Sequence, residues 1–209
     1  SAASDVYKRQ TQAFSSNEDY FVGNIVIARG NDDRSKPQII DGQQRILTLW
    51  MYLKVLAILT NVSRLDEMLS IRDWEDEKVL SKIYSLVFEE ADQSGIEEVL
   101  VWDKEDFKTR TKGLPKLGLI QSNAVYIYKW MQEYFDRLDN TKQTEFWKYF
   151  IDRIYLLPIA LDGKDMAEAT SRALTIFETI NNRGLDLADA DILKACLLYT
   201  SPSPRDMRR

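Results

Sequence analysis

Residues 39–49 read IIDGQQRILTL, and the parsing of this run decides the rest of the chain. Ile39 and Ile40 are β-branched residues that end a short extended stretch, and Asp41-Gly42 is a turn pair. Beyond it Ile46, Leu49, Trp50, Leu53, Leu56 and Ala57 recur at three- and four-residue spacing, which predicts a helix over Gln43 to Thr60. Further apolar residues lie between these positions, so the helix is expected to be buried on most sides.

Working upstream, Tyr20 to Ala28 (YFVGNIVIA) is rich in β-formers, a polar loop RGNDDRSK follows, and Pro37 to Ile40 is a second short strand. The pair predicts a hairpin that delivers Asp41 to the helix start. Working downstream, Val79, Leu80, Ile83, Leu86 and Val87 share one face of a helix over Asp76 to Glu90. The Lys, Thr and Gly content of Ala91 to Gly118, with Pro115, predicts a loop or partly ordered insertion.

Helical spacing returns at Leu119, Asn123, Tyr126, Ile127, Trp130, Met131, Tyr134 and Leu138, and in a shorter helix around Glu145 to Asp152. Aromatic residues spaced this way read as core rather than as a base-stacking platform. Arg153 to Leu161 (RIYLLPIAL) reads as a strand, and Pro158 predicts that it lies at an edge or ends early. A helix from about Met166 to Asn181, stopped by Gly184, and a last helix from Ala188 to Leu198 complete the expectation. The expected fold is α+β and mainly helical: a hairpin-plus-helix core leading into a helical array.

Composition narrows the chemistry. With 209 residues and 44% apolar content the chain can bury one sizeable core. It contains no histidine, which excludes Ser-His-Asp and Cys-His catalysis and histidine-based metal sites. The single cysteine, Cys196, sits in the apolar run ILKACLL and reads as a buried side chain. Net charge is −5 with Lys and Arg dispersed, unlike the basic stripe of a stand-alone duplex binder. No apolar run reaches the roughly 20 residues of a membrane span, and the start lacks a signal-peptide pattern, so a cytoplasmic location is expected. The ends, SAASDVYKRQ (1–10) and YTSPSPRDMRR (199–209), lack hydrophobic periodicity and read as non-native flanks around a domain of residues 11–198.

The strand-to-helix junction at Asp41 to Arg45 is the sharpest chemical signal. A helix start presents free backbone N–H groups and the positive end of the helix dipole, both of which favour an anion such as phosphate. Gly42 allows close approach to the backbone, Arg45 has the geometry to grip phosphate in a two-pronged contact, and Asp41 is suited to hold magnesium or orient a water. A structural reading stands beside this one: Asp41 as N-cap and Arg45 as a solvated helix residue.

IIDGQQR followed by a long apolar helix resembles the signature of the GmrSD-like restriction proteins, whose N-terminal domain is related to the ParB and sulfiredoxin fold. FETINNRGLDLADADILKACLL, Phe177 to Leu198, resembles that family's later block, with Phe177, Glu178, Asn181, Arg183, Gly184, Leu187 and Asp191 matching. The resemblance implies a domain that binds and hydrolyses a nucleoside triphosphate with magnesium and regulates cleavage of modified DNA. Carried over residue by residue, it implies catalytic roles for Asp41, Gln43 and Gln44, nucleotide binding by Gly42, Arg45, Asn181 and Arg183, and magnesium at Asp41. It also implies an HNH-type nuclease domain or partner subunit. No counterpart of that nuclease is expected in this histidine-free chain, nor of an I-P-x-Y-Q-R-like opening motif upstream of Tyr20. Sulfiredoxin-like redox chemistry is not expected, since the resembling motif has cysteine where this chain has Gln43.

Overall fold

The computed structural model describes residues 11–31, 37–69, 90–112 and 117–184, with the side chains of residues 66, 90–93 and 182–184 outside that description. The elements are a helix α1 (residues 11–15), strands β1 (Tyr20–Gly30) and β2 (Gln38–Asp41), helices α2 (Gln43–Thr60), α3 (Ser63–Glu67), α4 (Glu90–Val101), α5 (Lys104–Thr111), α6 (Leu119–Phe135) and α7 (Asn140–Asp152), strand β3 (Ile154–Gly163) and helix α8 (Met166–Gly184). This is an α+β, mainly helical fold, as the sequence predicts.

The three strands form one mixed sheet in the order β2-β1-β3. β1 and β2 are the predicted antiparallel hairpin, while β1 and β3 run parallel from Tyr20↔Ile154 to Gly30↔Gly163. Pro158 lies opposite Ile25 in an edge strand, where among the described residues one side of the backbone has no strand partner and a missing N–H is tolerated. The strand does not end early; it continues to Gly163.

Two clusters hold the elements together. On one face of the sheet Val26 and Ala28 pack with Ala169 and Ala173 of α8, and Ile40, Leu161 and Met166 close around them. The larger cluster is built on α2, whose Met51, Tyr52, Val55 and Leu56 are at most 3% exposed and pack with residues of α4, α5, α6 and α7. The aromatic residues of α6 and α7 belong to this core: Phe135 and Phe146 meet edge to face at 5.6 Å, and Phe146 also takes the edge of Phe14 from α1 at 5.1 Å.

Several elements differ from the sequence reading. Residues 91–112, expected as a loop or partly ordered insertion, carry α4 and α5. Asp103 accepts from the Asp106 backbone N–H while the Asp106 carboxylate accepts from the Asp103 N–H, a reciprocal cap that starts α5. Phe107, one residue later, is fully buried, stacked on Tyr128 at 4.9 Å and edge-on to Trp102 at 5.2 Å. α7 begins at Asn140, earlier than expected, because Asp139 accepts from the Lys142 N–H and caps it. α8 continues past Asn181 to Gly184. The helices expected over 76–90 and 188–198 lie almost wholly outside the described residues, as do Leu187, Asp191 and Cys196.

Candidate functional site

The junction between β2 and α2 is shaped by a bulge. Val26 pairs with Asp41 but Ile27 pairs with Ile39, so Ile40 is an extra residue on β2. A bulge of this kind bends its strand and re-aims the side chains at its end. Ile40 packs into the sheet-side cluster, and Asp41 ends the strand.

Gly42 then makes the turn, with φ 92° and ψ 8° in the left-handed region, and is the N-cap of α2. The reading of Asp41 as that cap is therefore not what the geometry gives. Glycine is required at this position twice over. Left-handed backbone disfavours any side chain, and a Cβ here would stand 2.4 Å from Ile25 Cγ2 and 3.1 Å from Ile25 Cα.

The first intrahelical bond runs from the Ile46 N–H to the Gly42 carbonyl. The N–H groups of Gln43, Gln44 and Arg45 therefore have no acceptor within the helix. No acidic residue lies in this first turn and no side chain caps it, so the positive end of the dipole is not neutralised from within the helix. Gln43 Nε2 donates back to the Ile39 carbonyl at 2.8 Å, tying the helix to the strand before it. Gln44 is exposed.

Arg45 is neither free nor merely solvated. Its Nη1 donates to the Asn24 carbonyl at 2.7 Å and to Asp41 Oδ2 at 3.1 Å. Asn24 lies two residues beyond the last β1–β2 pair, so the guanidinium meets a carbonyl for which β2 supplies no partner. The Arg45 and Asp41 side chains are 41% and 30% exposed, a pair worth little as a stability term but well placed to hold the guanidinium in one direction. Ile40, Asp41, Gly42, Gln43, Gln44 and Arg45 line a small concavity of about 210 Å³. The structure thus brings together five of the seven residues singled out from the sequence.

The other two lie on α8. Gly163, paired with Gly30, sits against the Ala169 backbone, so α8 starts at that end of the sheet. The dozen residues from Ala169 to Asn181 advance about 18 Å along the helix, so Asn181 lies well away from the Gly163 end. Asn181 is exposed, and among the described residues no hydrogen bond joins it to the turn. The Arg183 side chain lies outside the described residues.

A larger open concavity, about 880 Å³, lies at the far end of α2 between Lys54, Ile58, Asn61, Trp102 and Lys104. None of the seven candidate site residues lines it. The residues that sequence reasoning missed are Asn24, whose role is carried by its backbone, and Gly23, which stands under the Arg45 side chain with φ 136°. An isolated glycine inside a strand was the available signal for the latter.

With this geometry in place, comparison with protein families finds that residues 4–198 match the model of the GmrSD restriction endonuclease, N-terminal domain. The chain belongs to this family. The GmrSD match spans both the β2–α2 turn and the α8 segment, and membership of a restriction endonuclease family ties the chain to DNA. No curated protein and no solved structure matches it. Among the described residues, no helix of this GmrSD domain is long and apolar enough to cross a membrane, and no group of three or more potential metal-ligating side chains occurs.

Proposed function

We propose that the chain is the nucleoside-triphosphate-binding and hydrolysing regulatory domain of a modification-dependent, phage-defence DNA restriction protein in the cytoplasm. Cleavage itself belongs to an HNH-type nuclease domain or subunit that acts with it. On this reading the β1–β2–α2 unit is the ParB/sulfiredoxin-like core of the domain.

The observation that carries the proposal is the α2 start. Three backbone N–H groups without helical acceptors, a first turn with no acidic residue and a tethered guanidinium meet at one concavity. Such a cluster suits a polyphosphate: backbone donors of Gln43, Gln44 and Arg45 hold the oxygens, and Arg45 adds charge in a fixed direction. Gly42 keeps the backbone open to the ligand. On the family resemblance, Asn181 and Arg183, at the C-terminal end of α8, are proposed as further nucleotide contacts.

Asp41 is the carboxylate in the described lining. Magnesium at phosphate sites is commonly held by one or two carboxylates together with phosphate oxygens and waters, so this donor set fits the ion only with the polyphosphate present. When bound, magnesium neutralises phosphate charge and favours attack by water. The side-chain amides of Gln43 and Gln44 would orient that water, with Gln43 fixed by its bond to the Ile39 carbonyl.

One observation favours a second reading, in which the nucleotide gates DNA binding without being hydrolysed. Asp41 is already engaged with Arg45, which suits a residue that aims the guanidinium rather than one that serves a metal. The two readings separate in a full-length relative carrying these residues. If hydrolysis is the function, Asp41→Ala lowers magnesium-dependent phosphate release by roughly 30- to 1,000-fold with binding largely kept, while Arg45→Ala mainly weakens binding. If Asp41→Ala and Arg45→Ala weaken binding alike and wild-type protein releases no phosphate, gating replaces hydrolysis.

A further inference from the structure

The Arg45 side chain lies along a specific defect in β1. The β1–β3 register slips between Phe21 and Gly23, and Gly23 adopts φ 136°, a conformation L side chains rarely take. A Cβ at this position would stand 3.2 Å from Arg45 Nε, 3.4 Å from Cδ and 3.6 Å from Cζ. The contact with Nε is tighter than ordinary van der Waals distance, and with Cδ and Cζ nearly as close it falls on the face of the guanidinium rather than on its donor edge.

This seating matters because a guanidinium has five N–H donors in a fixed fork. Nη1 carries two hydrogens, and both have acceptors here, the Asn24 carbonyl and Asp41 Oδ2. What remains is the Nε–Nη2 edge, two parallel donors suited to two oxygens of one phosphate. Among the described residues no acceptor engages either nitrogen.

We propose that Gly23 is a positioning residue for the phosphate site: by lacking a side chain it lets the face of the Arg45 guanidinium seat on β1 with Nη1 bonded to Asn24 and Asp41, which aims the remaining Nε–Nη2 edge at two oxygens of a nucleotide phosphate. The inference rests on the phosphate reading of the α2 turn and extends it to a strand residue far from the DGQQR run. Asp41 and Asn24 hold Nη1, and Gly23 leaves room for the face of the guanidinium to seat. The same chemistry would accept a DNA phosphodiester, so the test separates the two sources.

The test uses the full chain with inorganic triphosphate as the probe, a short duplex as the competing phosphate source, and the NMR signal of the Arg45 Nε–H as a ligand-free readout. Gly23→Ala should move the Arg45 Nε–H signal without ligand and weaken triphosphate binding by about tenfold or more, the loss expected for one charged hydrogen bond. In an Arg45→Lys background, which has no two-donor edge, Gly23→Ala should change binding less than about twofold; a merely structural role would lower it equally in both backgrounds. Thermal melts of each variant identify any that fail to fold, and Gly23→Ser, similarly small and similarly strained, repeats the comparison. An unmoved Nε–H signal, or undiminished triphosphate binding by Gly23→Ala, would overturn the proposal. A moved signal with no triphosphate binding by any variant, wild type included, would keep Gly23 as the seat of Arg45 and refute the nucleotide reading. Binding of the duplex alone, lost in Gly23→Ala, would assign the open edge to DNA.

Discussion

Gly42→Ala tests the geometry of the β2–α2 junction. Two penalties add. The first is backbone: φ 92° is left-handed, and a residue with a Cβ loses roughly 1–2 kcal/mol there. The second is steric: the new methyl would sit 2.4 Å from Ile25 Cγ2, and Ile25 is only 7% exposed, so it has little room to yield. Overpacking of this kind costs about 1–3 kcal/mol. The sum, about 2–5 kcal/mol, is comparable with much of the stability of an ordinary domain.

Urea unfolding followed by tryptophan fluorescence measures it, provided the transition is two-state with an unchanged slope. Ile25→Ala separates the terms. Alone it should destabilise by about 2–5 kcal/mol through the cavity it leaves. Combined with Gly42→Ala it should destabilise less than the two changes summed, by roughly 1–3 kcal/mol, because the new Cβ occupies vacated space. Strict additivity, or a Gly42→Ala loss below about 1 kcal/mol, would refute the close approach of β1 to the turn.

Two further outcomes follow from α5. Phe107→Ala should destabilise the protein by about 3–5 kcal/mol, read from the same urea transition, since the ring is fully buried between Trp102 and Tyr128; a loss under about 1 kcal/mol would mean that α5 is not docked. The Asp106 carboxyl is held below its ordinary 3.8, first by the Asp103 backbone N–H and then by Arg110. A lowered folded-state value means that its contribution to stability is present above the unfolded value and is lost as pH falls through the folded one. Protection of the α5 amides against exchange, relative to the intrinsic rate at each pH, should therefore fall below about pH 3.8, and Asp106→Asn should remove that pH step.

The elements legible in the sequence were those with local signals. The hairpin, α2 and α6 follow from strand composition and three-four spacing within one window. The turn at Asp41-Gly42 was legible because a strand and a helix abut there with a glycine between them. α5 was missed although its signal is local: Asp103 and Asp106 stand at capping-box spacing before Phe107, but the surrounding Lys, Thr and Gly content read as loop. The parallel pairing of β1 with β3 was not legible, because it joins residues some 130 apart and depends on the whole helical array between them. The seat of Arg45 was hidden for the same reason. Its partners, Asn24 and the bare backbone of Gly23, have no side-chain signature, and their meeting with Arg45 exists only once β1 and β2 are paired.

The central claim is that the α2 start holds a nucleotide through its phosphates with Arg45 as the charged anchor. Calorimetric titration of nucleoside triphosphates with magnesium into the full chain and into Arg45→Ala tests it most directly. The account predicts one-to-one binding by the wild type that weakens by roughly 30-fold or more in Arg45→Ala, equivalent to about 2 kcal/mol or more, with the melting temperature little changed. Equal affinity in the two proteins, or no binding of any triphosphate by the folded wild type, would contradict it.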